Sequence, residues 1–240
     1  MSIIASMKKP FIAVLSSFIV LLCFSAESRA GRPKVETENG APGSGIKKIS
    51  HVYFETNAKP PAPAWREMAR GILYNDGRQE DWGFRDDGRT VAYKRYTDKS
   101  GFIEKFDEFN KDGTLVRQIL NEKSGKSRVF VNVDGLGKNP ADIDLKVGDE
   151  LYLVKTFEPW PGSRSDAVTA KANAAVGSIV APKPPSLPNG AHLIEGFIAS
   201  KAGDNTLTVT STLTFAGGAS RHGFPPRRSV VSYTINVKVK

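Results

Sequence analysis

Three arginines and an aromatic ring crowd one short segment, Arg221-His222-Gly223-Phe224-Pro225-Pro226-Arg227-Arg228. Guanidinium forks match the oxygens of phosphates and carboxylates, and two prolines limit the freedom of the chain that carries them. Arg221, His222, Phe224, Arg227 and Arg228 are therefore expected to bind an anionic group. Trp82 is the other candidate. It stands among Glu80, Asp81 and Gly83, a polar setting in which an indole suits a surface better than a core.

Other chemistries find less support. No nucleophile elbow, phosphate loop or zinc-binding spacing occurs. His51, His192 and His222 are far apart and belong to no metal-ligand motif. Asn139, Asp142, Asp144, Asp149 and Glu150 form an oxygen-rich stretch that calcium would accept, but the EF-loop spacing is missing and a solvated acidic loop is the simpler reading. Glu104, Asp107 and Glu108 would serve as acid and base only if folding brought two of them into one cleft. They alternate with Lys105 and Phe106 as residues of a solvated strand do. The expectation is no catalytic residue, no metal and no cofactor. Phe84, Tyr93, Tyr96, Phe102, Phe106 and Phe109 are strand formers expected to fill a core, with a stacking platform for sugars or peptides as the rival role.

The elements that must position these residues are marked by glycine. Gly77, Gly88, Gly101, Gly113 and Gly125 recur at intervals of 11, 13, 12 and 12 residues, each after a short polar cluster such as Asp86-Asp87 or Lys111-Asp112. Asp-Gly and Ser-Gly supply the positive φ of tight hairpin turns, and such spacing leaves room for one short strand between turns. An aromatic or apolar residue precedes each turn: Tyr74, Phe84, Tyr96, Phe109 and Leu120. The stretch reads as a β-meander from Gly71 to about Val133, repeating in units of one hairpin. Over residues 71–130 this pattern of aromatic, polar pair, Asp-Gly and apolar strand resembles the MORN-variant hairpin repeats of bacterial exported proteins. The resemblance implies a scaffold or binding surface and brings no catalytic residue with it.

Elsewhere the pattern changes. Thr206 to Phe215 and Val230 to Lys240 alternate apolar with polar residues, the period of half-buried strands. His192 to Ser200 reads as a third strand, joined to the first of these through Ala202-Gly203-Asp204-Asn205. The five threonines Thr206 to Thr214 on one face suit an exposed strand and need no ligand. Residues 163–190 are Ala-rich, then Pro-rich, and read as a linker or surface loop, with a short helix over Asp166 to Val176 as the alternative. Ser127 to Val133 and Glu150 to Phe157 are expected strands, and Lys146-Val147-Gly148-Asp149 an expected turn. Ile49 to Thr56 is an expected strand, and Ala64 to Arg70 one or two helical turns stopped by Gly71. Residues 31–47 read as a flexible leader.

The N-terminus reads as a signal peptide of residues 1–30. Lys8-Lys9 precedes the uncharged run Phe11 to Ala26, and Ser28-Arg29-Ala30 offers small residues at a cleavage site. The run is shorter than the roughly 20 residues a membrane-spanning helix needs, and Leu22 before Cys23 is too large for a lipoprotein site. Cys23 is the only cysteine, so the exported chain would fold without disulfides, on its core alone. The net charge of +9 favours anionic neighbours. Nucleic acid is not an expected partner for an exported chain, and Lys99 to Phe109 lacks the residue pattern of an RNA-binding strand.

These readings converge on a mainly β protein with little helix: a β-meander over residues 48–162, then a second small antiparallel sheet over 191–240, sandwich- or barrel-like. The expected role is a non-catalytic binding or scaffold protein of the cell envelope, periplasmic or secreted and bacterial. Its partner would be an anionic glycan, phosphate-bearing polymer, lipid headgroup or envelope protein. Two alternatives stay open. One is a hydrolase or lyase of envelope polymers using the meander carboxylates; the other is a subunit of a secretion or surface-fibre assembly.

Overall fold

The computed structural model describes residues 33–55, 65–136, 141–156, 163–172, 187–188, 191–215 and 227–240. The expected signal peptide lies outside them, as do Asn139, Arg221, His222 and Phe224. Among the described residues no helix is long and apolar enough to cross a membrane.

The described chain is almost entirely β. The strands are β1 (Lys34–Asn39), β2 (Ile46–Glu55), β3 (Trp65–Tyr74), β4 (Gln79–Phe84), β5 (Val91–Thr97), β6 (Ile103–Phe109), β7 (Leu115–Asn121), β8 (Ser127–Asn132), β9 (Ala141–Leu145), β10 (Glu150–Thr156), β11 (Ser163–Ala172), β12 (Ala191–Ile198), β13 (Gly203–Phe215) and β14 (Arg227–Val239), with one 3-10 turn at Val133–Gly135. A ten-stranded sheet runs β1-β2-β3-β4-β5-β6-β7-β8-β10-β12, and a four-stranded sheet runs β11-β13-β14-β9. Neighbours are antiparallel except β8 with β10 and β14 with β9. Neither sheet closes on itself.

From β1 to β8 the long sheet is a meander in chain order. All five turn glycines have positive φ, from 67° at Gly88 to 90° at Gly77 and Gly125. The polar cluster before each glycine holds the turn from within. Asp98 Oδ1 accepts from the backbone N–H of Ser100 at 2.8 Å and of Phe102 at 3.0 Å, and Asn110 Oδ1 accepts from Thr114 N–H at 2.9 Å.

Four local expectations are corrected. The stretch expected to be a leader contains β1, paired along its whole length with β2. Of the helical turns expected over Ala64 to Arg70, Trp65 to Arg70 are instead the start of β3. Gly71 is no helix stop there: it lies opposite Asp81, and a Cβ on it would come within 3.5 Å of the Asp81 carboxylate. The stretch expected to be a linker or short helix begins with β11, paired to β13. Finally, β12 does not form a hairpin with β13; it pairs with β10 in the long sheet, while β13 belongs to the other sheet.

That last crossing is what makes the sandwich. After β8 the chain alternates between the sheets, with β9 in the small one, β10 in the long one, β11 in the small one and β12 in the long one. The shared core joins Val129, Val131, Leu151, Leu153 and Phe197 of the long sheet to Ile143, Leu145, Leu207, Val209, Ile235, Val237 and Val239 of the small one. Face-to-face packing of two sheets buries alternate residues of both, as the periods of β13 and β14 require. The core sits at the β8–β10–β12 end, and β2 to β6 contribute no residue to it.

Candidate functional site

Antiparallel register puts directly opposed residues on the same face of a sheet. One row of such pairs crosses the long sheet: Glu36, His51, Arg70, Trp82, Lys94, Asp107, Gln118, Phe130 and Tyr152. Alternation within β4 adds Glu80 and Phe84 to this face and sends Gln79, Asp81 and Gly83 to the other. The other face is the one that carries the shared core farther along the sheet.

Trp82 therefore stands between two cations, one from each neighbouring strand. The Lys94 ammonium lies 4.0 Å from the ring centroid, and the Arg70 guanidinium lies 5.7 Å from Trp82 and 5.3 Å from the Phe84 ring. The indole N–H donates to Glu80 at 3.2 Å, and the other Glu80 oxygen accepts from the Tyr74 hydroxyl at 2.7 Å. Trp82 is half-buried.

The same motif repeats along the meander. Arg78 lies over Tyr74, Lys105 over Tyr96 and Lys123 over Phe102, at 5.4, 4.6 and 6.0 Å. Such contacts arise about once per 70–80 residues, so this density within one meander marks an organised surface of rings and cations.

Four of the five cations are also bound to carboxylates. Arg70 makes a two-pronged contact with Glu67 at 2.9 and 2.8 Å. Arg78 pairs with Asp76 at 2.7 Å, Lys105 with Asp107 at 2.9 Å and Lys123 with Asp98 at 2.8 Å. Among the described residues, Lys94 pairs with no carboxylate and rests only on the Trp82 ring.

The groups around it are firmly held. Burial would raise the Glu67 carboxyl, but hydrogen bonds from Arg70 and from His51, the latter at 2.6 Å, outweigh burial and hold it below its ordinary value. The Glu67 hydrogen bond in turn raises Arg70. Burial, then the Glu80 hydrogen bond, pushes the Tyr74 phenol up to about 12, and burial with the Asp107 charge pushes Tyr96 to about 12 as well. Both phenols stay protonated donors at neutral pH. Asp107 is 5% exposed, and besides Lys105 it accepts from the Gln118 amide at 2.8 Å.

The aromatics expected to fill a meander core do not. None of Trp82, Phe84, Tyr93, Tyr96, Phe102, Phe106 and Phe109 is buried. The small sheet packs on the far end of the long one, so the rings of β4 to β6 pair with cations or with one another. Tyr93 and Phe106 stack at 5.7 Å on the opposite face.

The expected carboxylate trio is divided. Asp107 faces the Trp82 side, while Glu104 and Glu108 face the other. Glu108 lies opposite Tyr93 and is bound to Arg117 at 2.7 Å; Glu104 is exposed. Four residues of strand put Glu104 and Glu108 about 13 Å apart, too far for one acid–base pair.

The oxygen-rich stretch is divided too. Asp142 accepts from Asn236 and Asp144 from Lys240, while Ile143 and Leu145 between them enter the core. Asp149 is 4% exposed and accepts from the backbone N–H groups of Ser127 and Lys146, both at 2.8 Å. Glu150 accepts from the Tyr152 hydroxyl at 2.6 Å on the long sheet. Among the described residues no cluster of His, Cys, Asp and Glu is arranged to hold a metal ion.

Of the arginine-rich segment, Arg227 and Arg228 are described. They lie in β14 opposite Phe215 and Thr214, so the strand starts earlier than its alternation suggests and these two are not loop residues. Sequence reasoning missed Arg70 and Lys94, although the turns could have located them: Trp82 and Lys94 stand six residues on either side of Gly88.

No family model matches the chain, and no curated protein matches it. Two solved structures show a weak similarity. One is a cysteine protease inhibitor from Entamoeba histolytica, at 14% identity over 43% of this chain and 88% of that one, with a TM-score of 0.25. The other is Amebosin, at 10% identity over 46% of this chain and 96% of that one, with a TM-score of 0.22. Scores of this size carry neither a fold assignment nor a function.

Proposed function

We propose that this chain is an exported, non-catalytic binding protein of the cell envelope that holds an anionic partner against the Trp82 face of its long sheet. The observation that carries the reading is Lys94. Its ammonium lies over the indole ring with no carboxylate partner among the described residues, whereas the four comparable cations are already neutralised. A cation positioned by stacking loses less side-chain freedom on binding than one that swings in solvent. Arg70 approaches the same ring from β3, and Glu80 accepts the indole N–H. The net basic charge draws anions toward the molecule from a distance. The resemblance of residues 71–130 to hairpin repeats of exported proteins fits a surface of this kind.

The test is sedimentation of the purified protein with envelope extracts at low and high salt. Binding should fall as salt rises, because exposed charges are screened over about 10 Å at 0.1 M. Lys94→Gln should remove the salt-sensitive part while circular dichroism and melting stay unchanged. A Lys94→Gln protein that sediments as the parent does would refute the site.

A further inference from the structure

We infer that β1 is a self-pairing edge: two copies of this chain join β1 to β1 in antiparallel order, across a two-fold axis at Val35, and so continue one long sheet into the other.

The inference begins with the direction of the backbone groups on β1. Gly40 N–H donates to the Lys47 carbonyl at 3.4 Å and extends the β1–β2 register. Antiparallel pairing alternates hydrogen-bonded with non-hydrogen-bonded pairs. Lys34, Glu36 and Glu38 therefore turn their N–H and C=O toward β2, and Val35, Thr37 and Asn39 turn theirs to the outer edge. Among the described residues no strand pairs with that edge. Every residue of β1 is exposed, Val35 to 40%.

The edges of the two described sheets differ in how they are protected. Bulges interrupt β12 at Ile194 and β11 at Asp166, and a bulge twists an edge away from a new strand. β9 carries Asp142 and Asp144 on either side of Ile143, so two copies of it in antiparallel order centred there would oppose aspartate to aspartate. β1 has no register shift along its length, and its charges complement themselves.

Three registers oppose most of the outward groups of two β1 strands, centred on Val35, Glu36 or Thr37. The Glu36 centre opposes the two Glu36 side chains, and the Thr37 centre opposes Glu36 to Glu38 twice. The Val35 centre opposes Lys34 to Glu36 of the second copy, twice. Within each strand Lys34 already pairs with Glu36 at 2.5 Å; the second copy turns these into a square of alternating charge, with no pair to be broken. Such exposed pairs set register more than affinity. On the other face Val35 meets Val35 of the second copy. That contact extends an apolar row whose next members, Val52 and Ala69, are 3% and 0% exposed. Val35 exchanges both backbone hydrogen bonds with its twin, and Thr37 N–H reaches the Pro33 carbonyl of the second copy. Pro33 has no N–H to return, which ends the ladder there.

The two-fold axis stands perpendicular to the sheet, so both copies present the Trp82 face to the same side. Nine strand spacings of about 4.8 Å put the two Lys94 residues roughly 40 Å apart. Where Lys94 binds as proposed above, the pair engages one polymer or surface at two points, and the second contact is intramolecular. The pairing itself does not depend on that reading.

Sedimentation velocity of the purified protein tests the pairing. Two strand edges bury less than a standard interface, so the mass should rise from monomer toward dimer between about 1 μM and about 1 mM. Val35→Pro removes an outward N–H that β2 does not use. It should stay monomeric across that range, with unchanged circular dichroism. Glu36→Lys should weaken the dimer about tenfold, as two attractive pairs become repulsive. Adding Lys34→Glu to it reverses both charges and should restore parental association. A parent protein still monomeric at about 1 mM would overturn the proposal, and so would a Val35→Pro protein that dimerises as the parent does. A double variant no more dimeric than Glu36→Lys would overturn the axis at Val35.

Discussion

Tyr93 lies across Gly83. A Cβ built on that glycine would fall 2.1 Å from the Tyr93 ring, so the phenol occupies the space that a side chain would need. The two are direct cross-strand partners on β5 and β4, and Gly83 is buried. An aromatic side chain here does for a strand glycine what the glycine cannot do for itself, covering the backbone from water. Gly83→Ala should therefore destabilise by roughly 1–3 kcal/mol through overpacking, read by urea denaturation. The double variant Gly83→Ala with Tyr93→Ala should show a coupling energy of opposite sign to the single costs. Strict additivity would mean that the ring moves aside freely.

Two glycines in turns should fail for different reasons. Gly113 has φ +86° with nothing within 4 Å of an added Cβ, so Gly113→Val should cost about 1 kcal/mol or more through backbone strain alone. Gly40 lies in the stretch expected to be a flexible leader. Its added Cβ would meet the Ile46 carbonyl oxygen at 2.0 Å, so Gly40→Val should disrupt the β1–β2 hairpin. Hydrogen exchange localised to β1 and β2 distinguishes the two; unchanged protection there would contradict the steric argument.

Asp81 and Arg95 form the most buried ion pair described. The carboxylate is 1% exposed and accepts from Arg95 at 2.9 and 2.5 Å and from the Gln79 amide at 2.7 Å. Removing one partner leaves a buried charge, so Arg95→Ala should cost roughly 3 kcal/mol. Replacing both, as in Asp81→Leu with Arg95→Met, should recover most of that loss. Melting curves of the two variants decide it, and a double variant less stable than Arg95→Ala would count against the pair as an isolated unit.

The turn carboxylates set the acid limit of the meander. The Lys123 ammonium, then the Ser100 hydroxyl and the Phe102 N–H, hold Asp98 well below the ordinary carboxylate range. The Thr90 hydroxyl with the Arg89 and Thr90 N–H groups lowers Asp87 to about 2. Both folded values lie below the unfolded one, so their contribution is fully present above about pH 4 and is lost as pH falls through the folded values. The melting temperature should decline between pH 4 and pH 2, and Asp98→Asn should flatten that decline. An unaltered slope would place the acid sensitivity elsewhere.

The local part of this structure was legible because it depends on neighbours in the chain. Asp-Gly and Ser-Gly turns, their polar clusters and the alternation of β13 and β14 rest on φ preference and a two-residue period, and all appear where their residues predict them. What the tertiary structure alone decided is everything carried by partners distant in sequence. β12 leaves β13 for β10 because Phe197 must enter the core between the sheets. Trp65 to Arg70 is strand and not helix because β2 and β4 flank β3 and supply its hydrogen bonds. Lys94 stands apart from the other cations only once register sets Trp82 on one side of it and an already neutralised Asp107 on the other. Periodicity shows which face a residue takes, but it carries no information about which charge on that face has already found its partner.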